Sequence, residues 1–284
     1  MTLITPAGRP GPVPHHGAPP CEHVPLMDTA HSPWQPPLIW RGAQVLARTV
    51  VGAVARLEVT GEVPAALRRG PLVLAANHLS PFDPVVLAAA CRAVGVAPRF
   101  MATGGLFRAP VVGTAMRRAG HIRVDRGTAA VGRALDDAAR AVAGGSVILV
   151  YPEGRIGLDP GLWPERGKTG AARLALAGHA PVIPVAQWGS HEVVPYQAPR
   201  GLLRGVARSL LRRPVVRVRF GAPVDLGDLN PGAPGAARRA TDRIIDAITD
   251  TLVPLRPDEP DRPRYVDPSR PVDSSRVHRR RPPG

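Results

Sequence analysis

The chain of 284 residues is 44% hydrophobic and only 4% aromatic, with a formal net charge of +15. Two cysteines, Cys21 and Cys91, exclude a disulfide framework, and no basic-then-apolar leader opens the sequence, so a cytoplasmic compartment is expected. The charge calls for an anionic partner: nucleic acid, a phosphorylated substrate or an anionic membrane surface.

Residues 1–37 hold ten prolines, and residues 254–284 hold eight prolines and eight arginines. Neither segment has apolar periodicity, so both are expected to be disordered tails around a single domain at 38–253. The basic excess belongs to that domain. The first tail has one arginine against two acidic residues and the second eight against five, which leaves about +13 on the domain. Lys168 is the only lysine in the chain. His15, His16, Cys21 and His23 lie close together in the first tail but lack paired ligand spacing, so neither a metal nor a resident cofactor is expected.

The domain opens with Leu38–Leu57, an apolar stretch interrupted by Arg41, Gln44, Arg48 and Arg56. At helical spacing these four fall within an arc of roughly 120°. Three arginines make the stretch a poor membrane span, whereas a wide apolar face with a narrow basic stripe, entered by Trp34 and Trp40, suits a helix lying in the headgroups of anionic lipid. The competing expectation is a helix packed on the protein's own core with its arginines in water. Strands are then expected at 56–60 and 72–76, a helix at 83–94, a strand at 98–102, a helix at 105–118, a strand at 121–124 and an amphipathic helix at 128–143. A strand at 146–151, a helix at 168–177, strands at 181–187 and 215–220 and a closing helix at 235–252 complete the order. Strands alternating with helices predict an α/β fold, one layered domain with a mixed, largely parallel sheet.

Chemistry concentrates where apolar strands end. After Leu72–Ala76 comes Asn77-His78-Leu79-Ser80-Pro81-Phe82-Asp83, with an imidazole and a carboxylate five positions apart. A histidine can take a proton from a hydroxyl while a nearby carboxylate holds its ring in the required tautomer. Ser80-Pro81-Phe82-Asp83 also reads as a helix start, with Ser80 at N-cap, Pro81 at N1 and Asp83 near N3. The two readings are compatible. No Gly-x-Ser-x-Gly elbow occurs, so the nucleophile is expected to arrive with the substrate. Arg123-Val124-Asp125-Arg126-Gly127 and Tyr151-Pro152-Glu153-Gly154-Arg155 follow two later strands, and a parallel sheet brings such loops to one edge. Arginines there suit phosphate oxygens, Gly154 allows backbone N–H groups to approach an anion, and Glu153 is expected to orient an arginine or bind a hydroxyl.

From about Leu57 to Phe220 the sequence resembles the glycerolipid acyltransferases typified by bacterial 1-acylglycerol-3-phosphate acyltransferase. Asn77-His78 through Asp83 matches the family's His-x4-Asp motif, and Gly120–Arg126 looks like its second block, whose last arginine contacts acceptor phosphate. Tyr151–Arg155 looks like the third block, Val182-Ile183-Pro184-Val185 like the fourth, and Lys168-Thr169-Gly170 like the Lys-x-Gly segment after the third. Arg155 follows Gly154 directly, where the family often places Thr or Ser between them, and twelve residues, Ile156–Gly167, precede Lys168. Trp163 among them is a candidate to shape acceptor choice.

The resemblance implies acyl transfer from acyl-CoA or acyl carrier protein to the hydroxyl of a lysophosphatidic acid-like acceptor, giving phosphatidic acid. His78 and Asp83 would be the catalytic pair, Arg126, Glu153, Gly154 and Arg155 the substrate-binding residues, and backbone N–H groups of Ser80–Asp83 the candidate oxyanion donors. The protein would sit peripherally on the cytoplasmic face of the membrane. Another lysophospholipid or a glycolipid is the alternative acceptor. A nucleic-acid partner is not expected, because aromatic residues are scarce and no nucleic-acid motif appears; a membrane-bound protein without turnover is the third alternative.

Overall fold

The computed structural model describes residues 34–125, 130–159, 161–196 and 202–256. The elements run α1 (Leu38–Val54), β1 (Arg56–Thr60), β2 (Leu72–Ala76), α2 (Asp83–Ala93), β3 (Arg99–Thr103), α3 (Gly104–Arg108), α4 (Pro110–Arg118) and β4 (Ile122–Val124). They continue α5 (Ala130–Ala143), β5 (Val147–Val150), α6 (Gly170–Ala177), β6 (Val182–Trp188), α7 (Ser190–Val193), α8 (Leu202–Arg212), β7 (Val215–Phe220) and α9 (Ala236–Leu252), with a 3-10 turn at Val253–Leu255. The seven strands form one sheet in the order β1-β7-β6-β2-β5-β3-β4. All neighbours are parallel except β6 and β7, which makes the sheet mixed and largely parallel, as expected.

Burial sorts the strands. β2 and β6 are buried at every residue and lie in the middle; β2 is apolar throughout and β6 is interrupted only by Gln187, so both can be covered on both faces. β1 alternates half-buried and exposed residues and β4 is three residues long; these are the two edges. Leu72, Leu74 and Ala76 of β2 face a core shared with α1 and α2. Val73 and Ala75 point the other way, into a core shared with α5, α6 and α9. The period of two along one strand thus seeds both hydrophobic layers.

Several expectations need correction. The helix from Leu38 stops at Val54, with Ala55 extended, and Arg56 belongs to β1. Gln44 does not join an exposed basic stripe. It is buried, and its Nε2 donates to Val96 O at 2.9 Å. The inward face of α1 is Trp40, Gln44, Ala47, Val51 and Val54, and it packs on α2. Leu38, Ile39, Val45, Leu46 and Val50 stay exposed, so the helix has a core-packed face and an uncovered apolar one. The helix expected at 105–118 is divided between α3 and α4 at Pro110, and α7 and α8 were not anticipated. Packing continues beyond the expected boundary at 253, because Leu255 and Arg256 are buried. Residues 1–33, with Cys21 and the histidines near it, lie outside the described residues.

No described helix is long and apolar enough to cross a membrane. Among the described residues, no group of three or more His, Cys, Asp or Glu side chains is placed to hold a metal ion.

Candidate active site

The loop after β2 is fixed before its histidine does anything. Asn77 Nδ2 donates to Gln187 O at 3.0 Å, and Gln187 N and Nε2 donate back to Asn77 Oδ1 and O at 2.8 and 2.9 Å. This reciprocal clasp joins the C-terminal ends of β2 and β6, where their ladder runs out. Next in the chain, His78 projects from a loop whose later residues fold back on Asp83.

Asp83 is the hub. It is fully buried at the first residue of α2. Its Oδ2 accepts from His78 Nδ1 at 2.8 Å, Leu79 N at 2.5 Å and Ser80 N at 2.9 Å, while Ser190 Oγ donates to Oδ1 at 2.5 Å. A buried carboxylate would be costly alone; four donors and a helix N-terminus make the ionised form acceptable here. A carboxylate accepts only, so the His78 nitrogen facing it must carry the proton, and Nε2 is left as the basic nitrogen. The helix start differs from the expectation. Ser80 is not the N-cap; Phe82 holds that position, and Ser80 Oγ accepts from Phe82 N and donates to Val194 O. Ser80, Phe82 and Asp83 N–H groups all donate within this turn, so they are not a ready oxyanion site.

Ser190 could not be found from sequence spacing, since it lies 107 residues from Asp83. Gly189 places it. That glycine has φ +96°, and a Cβ there would sit 2.3 Å from Val215 O, so only glycine turns the chain from β6 into α7 at this point.

Because β2 and β5 are neighbours, the loop after β5 lies against His78. Tyr151 stacks on the imidazole with ring centroids 4.0 Å apart and planes 15° apart. Burial is the main cause that pushes its phenol pKa well above the usual value, so it stays neutral. Glu153 is buried, with Oε1 accepting from His78 N at 3.2 Å and Oε2 from Glu165 N at 2.9 Å. Its carboxylate braces the main chain of the histidine loop, a task the sequence did not suggest. Gly154 has φ +69°, with Lys168 passing where a side chain would be: a Cβ would lie 3.2 Å from Lys168 Cδ. Gly154 N donates to Tyr151 O, closing the turn rather than facing an anion. Arg155 lies in the same loop, and its Nη2 contacts Glu165 Oε2 at 2.9 Å.

The loop after β4 is more remote, because β5 and β3 intervene between β2 and β4; at about 4.8 Å per strand that is roughly 14 Å. There Arg123 pairs with Asp125 at 2.7 Å. Arg126 and Gly127 lie outside the described residues. His78, Asp83, Glu153, Gly154 and Arg155 are therefore brought together at one edge of the sheet, joined by Tyr151, Lys168 and Ser190.

The Acyltransferase family profile matches residues 56–188, which span β1 to the end of β6 and contain the whole cluster except Ser190. An uncharacterised Mycobacterium tuberculosis protein, Rv0502, is 33% identical over 152 residues, 49% of this chain and 39% of that protein. A 1-acyl-sn-glycerol-3-phosphate acyltransferase of Limnanthes douglasii is 34% identical over 119 residues, 40% of each chain. The chain thus spans about two fifths of the length of both relatives. The crystal structure of the 1-acyl-sn-glycerophosphate acyltransferase PlsC from Thermotoga maritima aligns with a TM-score of 0.57 at 18% identity, covering 78% of this chain and 81% of that one, a likeness of fold. Residues 56–188, just under half of the chain, thus match the Acyltransferase family and carry the His-x4-Asp pair, the later blocks and most of the sheet that gathers them.

Proposed function

We propose that the protein transfers a fatty acyl group from acyl-CoA or acyl carrier protein to the free hydroxyl of a lysophosphatidic acid-like acceptor, giving phosphatidic acid. The observation that carries this is the 2.8 Å contact between His78 Nδ1 and a buried Asp83, which leaves Nε2 as the base. Nε2 takes the proton of the acceptor hydroxyl as its oxygen attacks the thioester carbonyl. Asp83 stabilises the imidazolium that forms, and the tetrahedral adduct collapses by expelling a thiolate, which leaves easily. No covalent enzyme intermediate is required. Arg126 and Arg155 would receive the acceptor phosphate, Arg155 by sharing its guanidinium with Glu165.

The Arg155–Glu165 pair also favours a second acceptor class. An arginine already engaged by a carboxylate suits a less highly charged headgroup, as in another lysophospholipid or a glycolipid.

The acceptor is a lipid, and the protein would reach it as a peripheral protein on the cytoplasmic face of the membrane. Support comes from the uncovered apolar residues. Leu38, Ile39, Val45, Leu46 and Val50 on α1 are joined by Leu106, Val111 and Val112 on α3 and α4 and by Leu210 and Leu211 on α8, and both α4 and α8 pack against α1. Arg41, Arg48, Arg108, Arg118, Arg208 and Arg212 on the same helices would meet anionic headgroups.

The test is a turnover assay of the purified protein with acyl-CoA or acyl carrier protein and a panel of lysolipids and glycolipids. Acylation of lysophosphatidic acid is expected, lowered by about 10²–10⁴-fold in a folded His78→Ala variant. Full activity in that variant would end the mechanism; preference for another lipid would select the second acceptor class.

A further inference from the structure

Away from the histidine dyad, one arginine is held between two indoles. Arg256 follows the 3-10 turn after α9 and is 7% exposed. Its guanidinium carbon lies 4.3 Å from the Trp163 ring centroid and 4.1 Å from that of Trp188. Nη1 also donates to Gly161 O. Trp188 ends β6, whereas Trp163 and Gly161 belong to the segment after β5, so Arg256 fastens that segment to the central sheet.

The same segment is attached to the reaction centre at its other end. Gly157 N donates to His78 O at 2.8 Å, and Glu165 N donates to Glu153, whose other oxygen holds His78 N. Leu79 packs in one apolar cluster with Trp163 and Trp188. Both main-chain polar groups of His78 and the side chain after it therefore rest on a wall whose far anchor is Arg256. Such a wall matters because an activated imidazole accepts a proton from water as readily as from a lipid hydroxyl. Water attack would form a bond from its oxygen to the thioester carbonyl carbon and break the C–S bond, releasing fatty acid, with the proton passing through His78 to the departing thiolate.

We propose that Arg256 is a positioning residue for acyl transfer: stacked between Trp163 and Trp188, it holds Gly157–Asp159 and Gly161–Glu165 against the His78 loop, so that lipid and not water reaches the imidazole. The proposal rests on reading the site as one for acyl transfer from a thioester. The experiment compares full-length wild-type, Arg256→Ala and Arg256→Lys proteins with acyl-CoA and lysophosphatidic acid, measuring fatty acid released against lipid acylated. A desolvated cation lost from two ring faces corresponds to a factor of ten or more, so Arg256→Ala should raise the hydrolysis-to-transfer ratio roughly tenfold. Arg256→Lys, which keeps the charge, should raise it less. An unchanged ratio in Arg256→Ala, with both rates falling together, would overturn the proposal, because a merely structural arginine lowers both alike. Should Arg256→Ala fail to fold, the Lys variant is judged by the same ratio. Amide exchange at Gly157 and Glu165 separates this idea from the assignment of activity. If the wild type transfers nothing, the assignment fails, yet faster exchange in Arg256→Ala would still support the positioning and unaltered exchange would refute it.

Discussion

Replacing Asp83 by asparagine tests the core of the mechanism with the smallest change in shape. The carboxylate receives four donors: the His78 ring, the Leu79 and Ser80 amides and the Ser190 hydroxyl. An asparagine with its oxygen at the Oδ2 position keeps the first three, and its amide nitrogen then faces Ser190, whose hydroxyl can turn to accept. The fold should survive, while the negative charge is gone. In the transition state the imidazolium and carboxylate charge centres are about 4 Å apart, an attraction of ~4 kcal/mol at an effective dielectric of about 20. Its loss predicts a fall in kcat of about 10³-fold. Stability should fall as well, since bonds to a charged acceptor are about twice as strong as neutral ones, although relief of the buried charge offsets part of this. Single-turnover acyl transfer, beside urea denaturation to show the variant folded, measures both. A folded Asp83→Asn protein with kcat within tenfold of wild type would refute the reasoning, because no charge on Asp83 would then be needed.

Ser190→Ala leaves the dyad in place and removes one donor from its carboxylate; a stability loss of about 1–2 kcal/mol in urea unfolding is expected, with kcat down by less than tenfold. His121 supplies a pH dependence far from the dyad. Burial, aided by the nearby Arg99, pushes its pKa down to about 4, and its Nδ1 accepts from Phe100 N at 3.0 Å. The folded protein therefore holds His121 neutral while the unfolded chain protonates it below about 6.5. The stability tied to this group is complete above that pH and is lost as pH falls towards about 4, by about 3 kcal/mol in all. Unfolding free energies at neutral and acid pH should show a smaller drop for His121→Asn than for wild type; equal drops would disprove the assignment.

Much of the architecture was legible because its strongest signals are local. Leu72–Ala76 and Val147–Val150 are apolar without interruption, which places a strand inside a covered sheet whatever the remaining chain does. His78 and Asp83 are legible together because one turn joins them. Gln44 was misread for a physical reason. Helical spacing shows which residues share a side but not which side turns inward, and Val96 O gives this amide a buried partner. Arg155 is legible by its position after β5, but its partner Glu165, ten residues later, is not, because no local pattern pairs the two. Ser190 and the Asn77–Gln187 clasp depend on residues more than 100 positions apart, of types too common to stand out. The antiparallel β7 follows from how α7 and α8 return the chain, and these were the two helices the sequence did not reveal.

The chain's single lysine has a practical consequence. Lys168 is exposed and its methylenes lie over Gly154, in the loop that also carries the tyrosine stacked on His78. Amine-directed chemistry, ordinarily scattered over a protein surface, would meet just one side-chain target here. A dye or spin label attached at that nitrogen would report from the loop that stacks on His78, with no engineered cysteine.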